Sequence, residues 1–241
     1  MSKILGIDDF FYVSDRSYDL TAEKALPHYH EAHKLLVSCL PFPRDARIEV
    51  IDLGVGSGVT SAYILKNFPN ARVIGVDLFP EMLDEARPRL KTFTDRVTLV
   101  QSENTTFLAS AETKVDAIVS AFCIHHQDEQ GKKDLFAAIQ KRLKPGGVFL
   151  MLDWTIFNSP HLRKIARANT MRHLEANVSD ASFREKWAHH WNYINIPSSA
   201  DDMVGWLNSV GIRAEIVFRD FEVALLSASV LRTEEQISGN E

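Results

Sequence analysis

The chain has 241 residues, of which 45% are hydrophobic and 24% charged, so it can bury a substantial core in one large domain or two small ones. Its net charge of −5 and lack of a long Lys/Arg run argue against a broad nucleic-acid-binding surface. The sequence shows no signal-peptide pattern and no apolar run of bilayer-spanning length. We therefore expect a cytoplasmic protein without a membrane partner, in which Cys39 and Cys123 are reduced.

The N-terminal segment precedes the first predicted strand and is rich in aromatic residues. Helical spacing extends from Thr21 to Cys39, where Tyr29 and His33 lie close to one face. Pro27 lies either in the first turns of this helix or between two helices.

A buried strand, Glu49–Leu53, runs into a turn with glycines at positions 54, 56 and 58 and then into a helix over residues 58–68. Glycines permit positive φ and close approach of a ligand to the backbone. The free amides at the start of the helix favour polar or anionic groups. The next strand, Arg72–Asp77, ends on an acid placed to hold the hydroxyls of a ribose.

The spacing of these glycines separates two classes of nucleotide-binding protein. A dinucleotide fingerprint requires G-x-G-x-x-G, but Val59 stands where its third glycine would lie, counting from Gly54. The pattern D-x-G-x-G-x-G, which begins at Asp52, resembles motif I of the class I S-adenosylmethionine-dependent methyltransferases. This resemblance implies S-adenosyl-L-methionine as the cofactor, with its methionine part above the glycines.

The rest of the chain alternates strands and helices. A helix begins near Pro80, strands follow at Val97–Val100, Val115–Ser120 and Val148–Trp154, and a helix spans about Asp128–Leu143. The sequence L-K-P-G-G before the fifth strand also resembles the methyltransferases. A helix at Asp201–Ser209 and the strand pair Ile212–Phe218 and Glu222–Ala228 close the pattern.

We predict an α/β fold with a Rossmann-like, seven-stranded, mostly parallel sheet whose last strand is antiparallel. Since neither a second glycine turn nor a repeat is present, one domain is expected over residues 1–241. It comprises an N-terminal helical cap (1–46), a core (47–154 and 205–229) and a helical lid (155–204).

The lid segment interrupts the alternation with two helical stretches, His161–Ala176 and Ser182–Tyr193. The first is basic and either holds a substrate carboxylate or phosphate or is a solvated face. In the second, His189 and His190 stand between two tryptophans and either line a flat substrate or pack against the core. Adjacent helical residues point about 100 degrees apart, and no Cys or acid cluster is near, so we predict no metal site.

The resemblance assigns the cofactor to residues at the ends of the first four strands. Leu78 and Met82 would contact the adenine ring, and Glu103 would accept a hydrogen bond from the adenine amino group unless it is a solvated loop acid. The cofactor residues implied are Asp52, Gly54, Gly56, Gly58, Asp77, Leu78, Met82, Glu103, Asn104 and Ser120.

The acceptor side is predicted at the end of the fourth strand, because ligands of open parallel sheets lie outside the carboxyl ends of the strands. His125 and His126 are the candidates for a base or substrate anchor there, unless they only shape the loop. The candidates for the substrate pocket are Tyr18, Tyr29, Trp154 and His190.

Methyl transfer to oxygen, nitrogen or carbon of a small molecule is the function these features favour. The alternatives are a tRNA nucleoside-modifying methyltransferase, a non-catalytic module that binds S-adenosylmethionine or S-adenosylhomocysteine, and a dehydrogenase. This net charge argues against nucleic acid as a partner. A monomer and a homodimer both fit the sequence.

Overall fold

A computed structural model of the chain describes residues 18–110 and 113–231. Residues 1–17 of the predicted cap and the side chain of Tyr18 lie outside the described part. The strands are β1 Glu49–Leu53, β2 Arg72–Asp77, β3 Val97–Gln101, β4 Val115–Ala121, β5 Leu143–Trp154, β6 Ile212–Asp220 and β7 Val223–Val230.

The described helices precede, connect and follow these strands. They are α1 Tyr18–Ala25, α2 Tyr29–Ser38, α3 Val59–Asn67, α4 Pro80–Leu90, α5 Asn104–Ser110, α6 Glu129–Arg142, α7 Pro160–Asn177, α8 Ala181–His189 and α9 Ala200–Ser209. Short 3₁₀ turns lie at Lys91–Phe93 and Ile124–His126, and a π turn lies at His190–Ile194.

The strands form one sheet in the order β3-β2-β1-β4-β5-β7-β6. The first five strands pair in parallel, and β7 is antiparallel to both of its neighbours. This confirms the predicted Rossmann-like sheet with an antiparallel last strand. The order changes direction between β1 and β4, which places a crevice at their carboxyl ends.

Alternate residues of the strands enter two apolar cores, one on each face of the sheet. Val50 belongs to the core that α1, α2 and the segment from α7 to the π turn complete, and its neighbour Ile51 belongs to the core beneath α6 and α9. The helices of the predicted cap and lid therefore pack on the same sheet face. Among the described helices, none has the length and apolar character to cross a bilayer.

Two helical segments and one strand differ from the elements predicted from the sequence, or decide between the predicted alternatives. The first helical segment is two helices, with His28 left-handed (φ 54°) after Pro27. Helix α5 was not predicted; the carboxylate of Glu103 accepts the amides of Thr105 and Thr106 in its first turn, at 2.9 and 2.6 Å. Strand β5 begins five residues early, because Leu143 already pairs with Val115.

Two glycines outside the cleft make a matched test of packing. A Cβ on Gly75 of β2 would lie 2.8 Å from Cγ2 of Val55 and 2.9 Å from Cδ2 of Leu99, whereas no described atom lies within 4 Å of a Cβ on Gly205. We expect Gly75→Ala to lower the free energy of unfolding by about 1–3 kcal/mol. Gly205→Ala, in the exposed interior of α9, should raise it by about 0.5–1 kcal/mol. Urea denaturation measures both changes, and shifts of the same sign would contradict the packing described.

Candidate active site

A cleft opens at the carboxyl ends of β1, β2 and β4. Helix α2 covers one side, and the glycine turn forms the floor. The described residues that line it are Tyr29, His33, Gly54, Val55, Gly56, Ser57, Val59, Thr60, Asp77, Phe79, Met82, Ala121, Phe122, Cys123 and His126.

The glycine turn is packed directly against the loop after β4. Gly54 has φ 67°, and a Cβ there would lie 2.2 Å from Sγ of Cys123. Gly56 has φ 54° and also faces the cleft. The missing side chains therefore let the turn meet the β4 loop and expose backbone to a ligand.

Asp77 connects the glycine turn to the end of β2. Its carboxylate accepts the amide of Gly56 at 2.9 Å and the amide of Phe79 at 3.0 Å. Burial raises the pKa of Asp77, and the backbone hydrogen bonds oppose that rise. A carboxylate accepts more than two hydrogen bonds, so Asp77 retains capacity for hydroxyl groups of a ligand in the cleft.

Asp52 lies beneath the turn, outside the described cleft lining. Its carboxylate accepts the Ser61 hydroxyl at 2.7 Å. Burial raises its pKa to about 7, and the nearby charge of Asp77 adds to the rise that the Ser61 hydrogen bond opposes. Asp52 thus supports the first turn of α3.

Three histidines meet beside the cleft. Nδ1 of His125 lies 2.5 Å from Oδ1 of Asp153 in the neighbouring strand β5, and the rings of His125 and His126 are 4.0 Å apart. His190 reaches His126 from the segment after α8, at 5.3 Å between ring centres. Burial lowers the pKa of His190 to about 3, with His125 and His189 contributing, and lowers the pKa of His126 as well.

The structure brings part of the predicted set into the cleft. The predicted residues in its described lining are Gly54, Gly56, Asp77, Met82, Tyr29 and His126. The predicted residues outside that lining are Asp52, Gly58, Leu78, Glu103, Asn104, Ser120, His125, Trp154 and His190.

Several of the residues outside the lining have other contacts. The hydroxyl of Ser120 donates to the carbonyl of Leu53 at 2.8 Å, and the side-chain amide of Asn104 contacts Sγ of Cys123 at 3.5 Å. Trp154 stacks on Trp191 at 5.0 Å between ring centres. Leu78 is 41% exposed.

Among the lining residues that sequence reasoning missed, three carry rings. Phe79 follows Leu78, His33 lies one turn after Tyr29 on α2, and Phe122 directly follows β4. Phe122 has φ 52°, which is rare for a residue with a side chain, and its ring stacks on Tyr29 at 5.9 Å. Phe79 and His33 could have been predicted to line the cleft, because each lies close in sequence to a residue that was predicted. No sequence pattern predicts a left-handed phenylalanine at position 122.

Nδ1 of His33 lies 2.8 Å from the hydroxyl of Thr60. This contact joins α2 of the predicted cap to the start of α3. Burial lowers the pKa of His33 to about 3, so its imidazole is neutral near pH 7.

A parallel sheet with a glycine turn, an acid at the end of β2 and a cleft over both defines a nucleotide-binding α/β protein. Residues 50–147 match the family model described as "Methyltransferase domain". The chain therefore contains a methyltransferase domain of the class I S-adenosylmethionine-dependent family, whose cofactor is S-adenosylmethionine.

Relatives agree with this assignment. The chain is 32% identical over 118 residues to a ubiquinone/menaquinone biosynthesis C-methyltransferase, UbiE, of Syntrophotalea carbinolica, covering 49% of this chain and 48% of that one. It thus spans about half the length of this relative. It is 26% identical over 204 residues to a trans-aconitate 2-methyltransferase of Azoarcus sp., covering 77% and 78% of the two chains.

Solved structures share the fold. An O-methyltransferase family protein from Burkholderia thailandensis superposes with a TM-score of 0.67 at 18% identity, covering 94% of this chain and 63% of that one. The likeness therefore extends beyond the matched domain, to most of the chain.

The raised pKa of Asp52 makes a prediction about stability. Between pH 4 and 7 the unfolded chain releases the proton of this carboxyl group, whereas the folded chain still holds it, because the pKa rises from 3.8 to about 7 on folding. The contribution of Asp52 to stability therefore falls as pH rises through this window and levels off above it, opposite in sign to the contributions of the buried His33 and His190. Asp52→Asn, which keeps an acceptor for Ser61, removes this contribution, so the stability of the variant relative to the wild type should rise between pH 4 and 7 when both are unfolded in urea at a series of pH values.

The exposed acid Asp84 provides the control for this experiment. Asp84→Asn should leave the slope of stability against pH as in the wild type, since this side chain is solvated and pairs only with Arg87 among the described residues. Equal slopes for Asp52→Asn and the wild type would contradict the assignment.

Proposed function

We propose that this protein transfers the methyl group of S-adenosylmethionine to a small-molecule acceptor. The observation that carries the proposal is that the glycine turn, Asp77 and His126 line one cleft. A cofactor held by the first two would lie beside a group able to accept a proton. The whole path from cofactor to acceptor is then enclosed in a single site.

The residues present fit this cofactor. Gly54 and Gly56 line the cleft without side chains, Gly54 because its Cβ would collide with Cys123, and Asp77 keeps acceptor capacity for ribose hydroxyls. Phe79 and Met82 supply apolar surface for the adenine ring, and Asn104 and Glu103 stand at the end of β3. When bound, S-adenosylmethionine supplies an electrophilic methyl group. The protein's part is to align the acceptor with that group and to exclude water.

His125 and His126 are the proposed acid–base pair. Asp153 accepts a hydrogen from Nδ1 of His125, which leaves Nε2 of that ring as the acceptor nitrogen. His126 lines the cleft directly, and burial lowers its pKa, so its imidazole is neutral near pH 7 and offers a nitrogen to the acceptor's proton. Asp153 is a positioning residue, because it acts through His125.

A small acceptor is favoured by the walls. Tyr29, His33 and Phe122 give the cleft an aromatic wall, which suits a flat small molecule. The names of the two relatives above refer to ubiquinone and menaquinone biosynthesis and to trans-aconitate.

We propose that α1 and α2 are a cap, that α7 and α8 are a lid, and that residues 1–241 form one cytoplasmic domain.

The cofactor is tested by calorimetry with S-adenosylhomocysteine and with NAD. We expect saturable binding of the sulfur nucleoside and none of NAD. Asp77→Asn should weaken the binding by about tenfold or more, because hydrogen bonds to a charged group contribute about 1.5–3 kcal/mol. Asp84→Asn is the matched control and should bind as the wild type does. Binding of NAD alone would end the proposal, and an unchanged dissociation constant in Asp77→Asn would remove the ribose contact.

The histidines are tested by turnover. Release of S-adenosylhomocysteine is followed with a panel of phenols, carboxylic acids and quinone precursors, and the best acceptor is used for the variants. His125→Ala and His126→Ala should lower kcat by about a hundredfold or more if the acceptor must lose a proton. His189→Ala is the control, since His189 is exposed and outside the described cleft lining. Normal turnover in both test variants would exclude the histidines from the mechanism.

A further inference from the structure

The histidine cluster of His125, His126 and His190 is assembled from two distant parts of the chain. Each residue offers one imidazole nitrogen, and these three atoms lie within 4.8 Å of one another. His125 and His190 are buried, and His126 is partly buried at the cleft. Three imidazoles this close are a typical ligand set for a transition metal.

The backbone holds the two parts of the cluster together. The amide of Ile196 donates to the carbonyl of His125 at 2.8 Å, so the segment after α8 is bonded to the turn that carries His125 and His126. His190 opens a π turn that continues to Ile194, and π turns are frequent at functional sites. The neighbouring His189 is exposed and packs on Tyr193 at 4.9 Å between ring centres. The chain therefore selects one histidine of the pair for the cluster.

The surroundings of the cluster favour a cation. Oδ1 of Asp153 accepts a hydrogen bond from Nδ1 of His125. This carboxylate–histidine arrangement is the one that orients a metal-binding imidazole in many proteins. Oδ2 of Asp153 is buried and has no hydrogen-bond partner among the described residues, and the same holds for Nδ1 of His126. Lys132 is also close, but its ammonium group donates to the carbonyl of Ile196 and to Ser198.

We propose that His125, His126 and His190 bind one divalent transition-metal ion, with zinc as the probe. Three protein ligands leave a fourth coordination position for water or another ligand. Because His126 lines the cleft, that position adjoins the space proposed for the acceptor. The ligand nitrogens of a tetrahedral zinc site lie about 3.4 Å apart, and the three nitrogens here lie within 4.8 Å of one another, so a modest inward rotation of the rings brings them to that spacing.

This site goes beyond the proposed methyl transfer and does not depend on it. A bound ion occupies imidazole nitrogens that would otherwise accept a proton, so the histidines act as free bases only in the metal-free protein. It also changes the expectation from the sequence, where His189 and His190 alone gave no ligand set. Folding supplies the two missing ligands from the β4 turn.

The test uses the full chain without a polyhistidine tag, freed of metal with a chelator and then dialysed. Zinc chloride is titrated by calorimetry, and cobalt chloride by visible absorption, which distinguishes tetrahedral nitrogen ligation from an ion on the surface. The wild type and His189→Ala should each bind one ion per chain. His190→Ala and His126→Ala should bind at least about tenfold more weakly and lose the tetrahedral cobalt spectrum.

Thermal unfolding in chelator separates loss of ligands from loss of fold. If His190→Ala is unfolded, the result for the less buried His126→Ala decides. Absence of saturable zinc binding to the wild type would overturn the proposal, as would equal losses in His189→Ala and His190→Ala. Binding of S-adenosylhomocysteine to the same metal-free wild type reports independently on the proposed function.

Discussion

The close contact between Gly54 and Cys123 is the constraint on which the site depends. A Cβ at Gly54 would lie only 2.2 Å from the sulfur of Cys123, so the β1 turn and the β4 loop can meet only with glycine at this position. Asp77 fixes the same turn from the other side through the Gly56 amide. The position of the histidine-bearing turn relative to the glycine floor is therefore set by the packing of the Cys123 side chain against the Gly54 backbone and by the hydrogen bond from Gly56 to Asp77.

Buried acids accompany this arrangement, and they are costly for stability. Asp52, Asp77 and Asp153 lie at or near the carboxyl ends of β1, β2 and β5 and are almost completely buried. Each carboxylate accepts at least one hydrogen bond, and this offsets part of the free-energy cost of removing a carboxyl group from water. Burying an apolar side chain at these three positions would cost less free energy than burying a carboxyl group. Their presence at the edge where ligands bind indicates a site that trades stability for polar contacts.

The sequence predicted those parts of the fold and the site that depend on local pattern. The strands, the glycine turn and Asp77 follow from residues close together in the chain, and the mostly parallel pairing of the strands follows from the alternation with helices. Helix α5 was missed because Asn104–Ser110 is short and contains two threonines, which are weak helix formers. The left-handed Phe122 could not be foreseen either, since its conformation depends on the contacts of its ring with Tyr29 and His33.

The histidine cluster shows the limit of sequence reasoning most clearly. His125 and His126 were singled out because they follow β4, and His190 because it lies among tryptophans, but 64 residues separate His126 from His190. Their meeting depends on how the segment after α8 packs over the sheet, where Trp191 stacks on Trp154 and Ile196 bonds to His125. Neither contact has a local signal, because each joins residues from separate elements.

The same contacts couple the proposed lid to the chemistry of the cleft. His190 and Trp191 are neighbours in the π turn, so the stacking that anchors Trp191 on β5 also sets the position of the His190 ring beside His126. A movement of α8 that admits an acceptor would displace His190 along with it. The imidazole cluster would then be complete only when the proposed lid is packed on the sheet. Each movement of the proposed lid would break the contact between the rings of His126 and His190. Since this coupling passes through two aromatic contacts and one backbone hydrogen bond, the proposed lid would act as part of the proposed site as well as its cover.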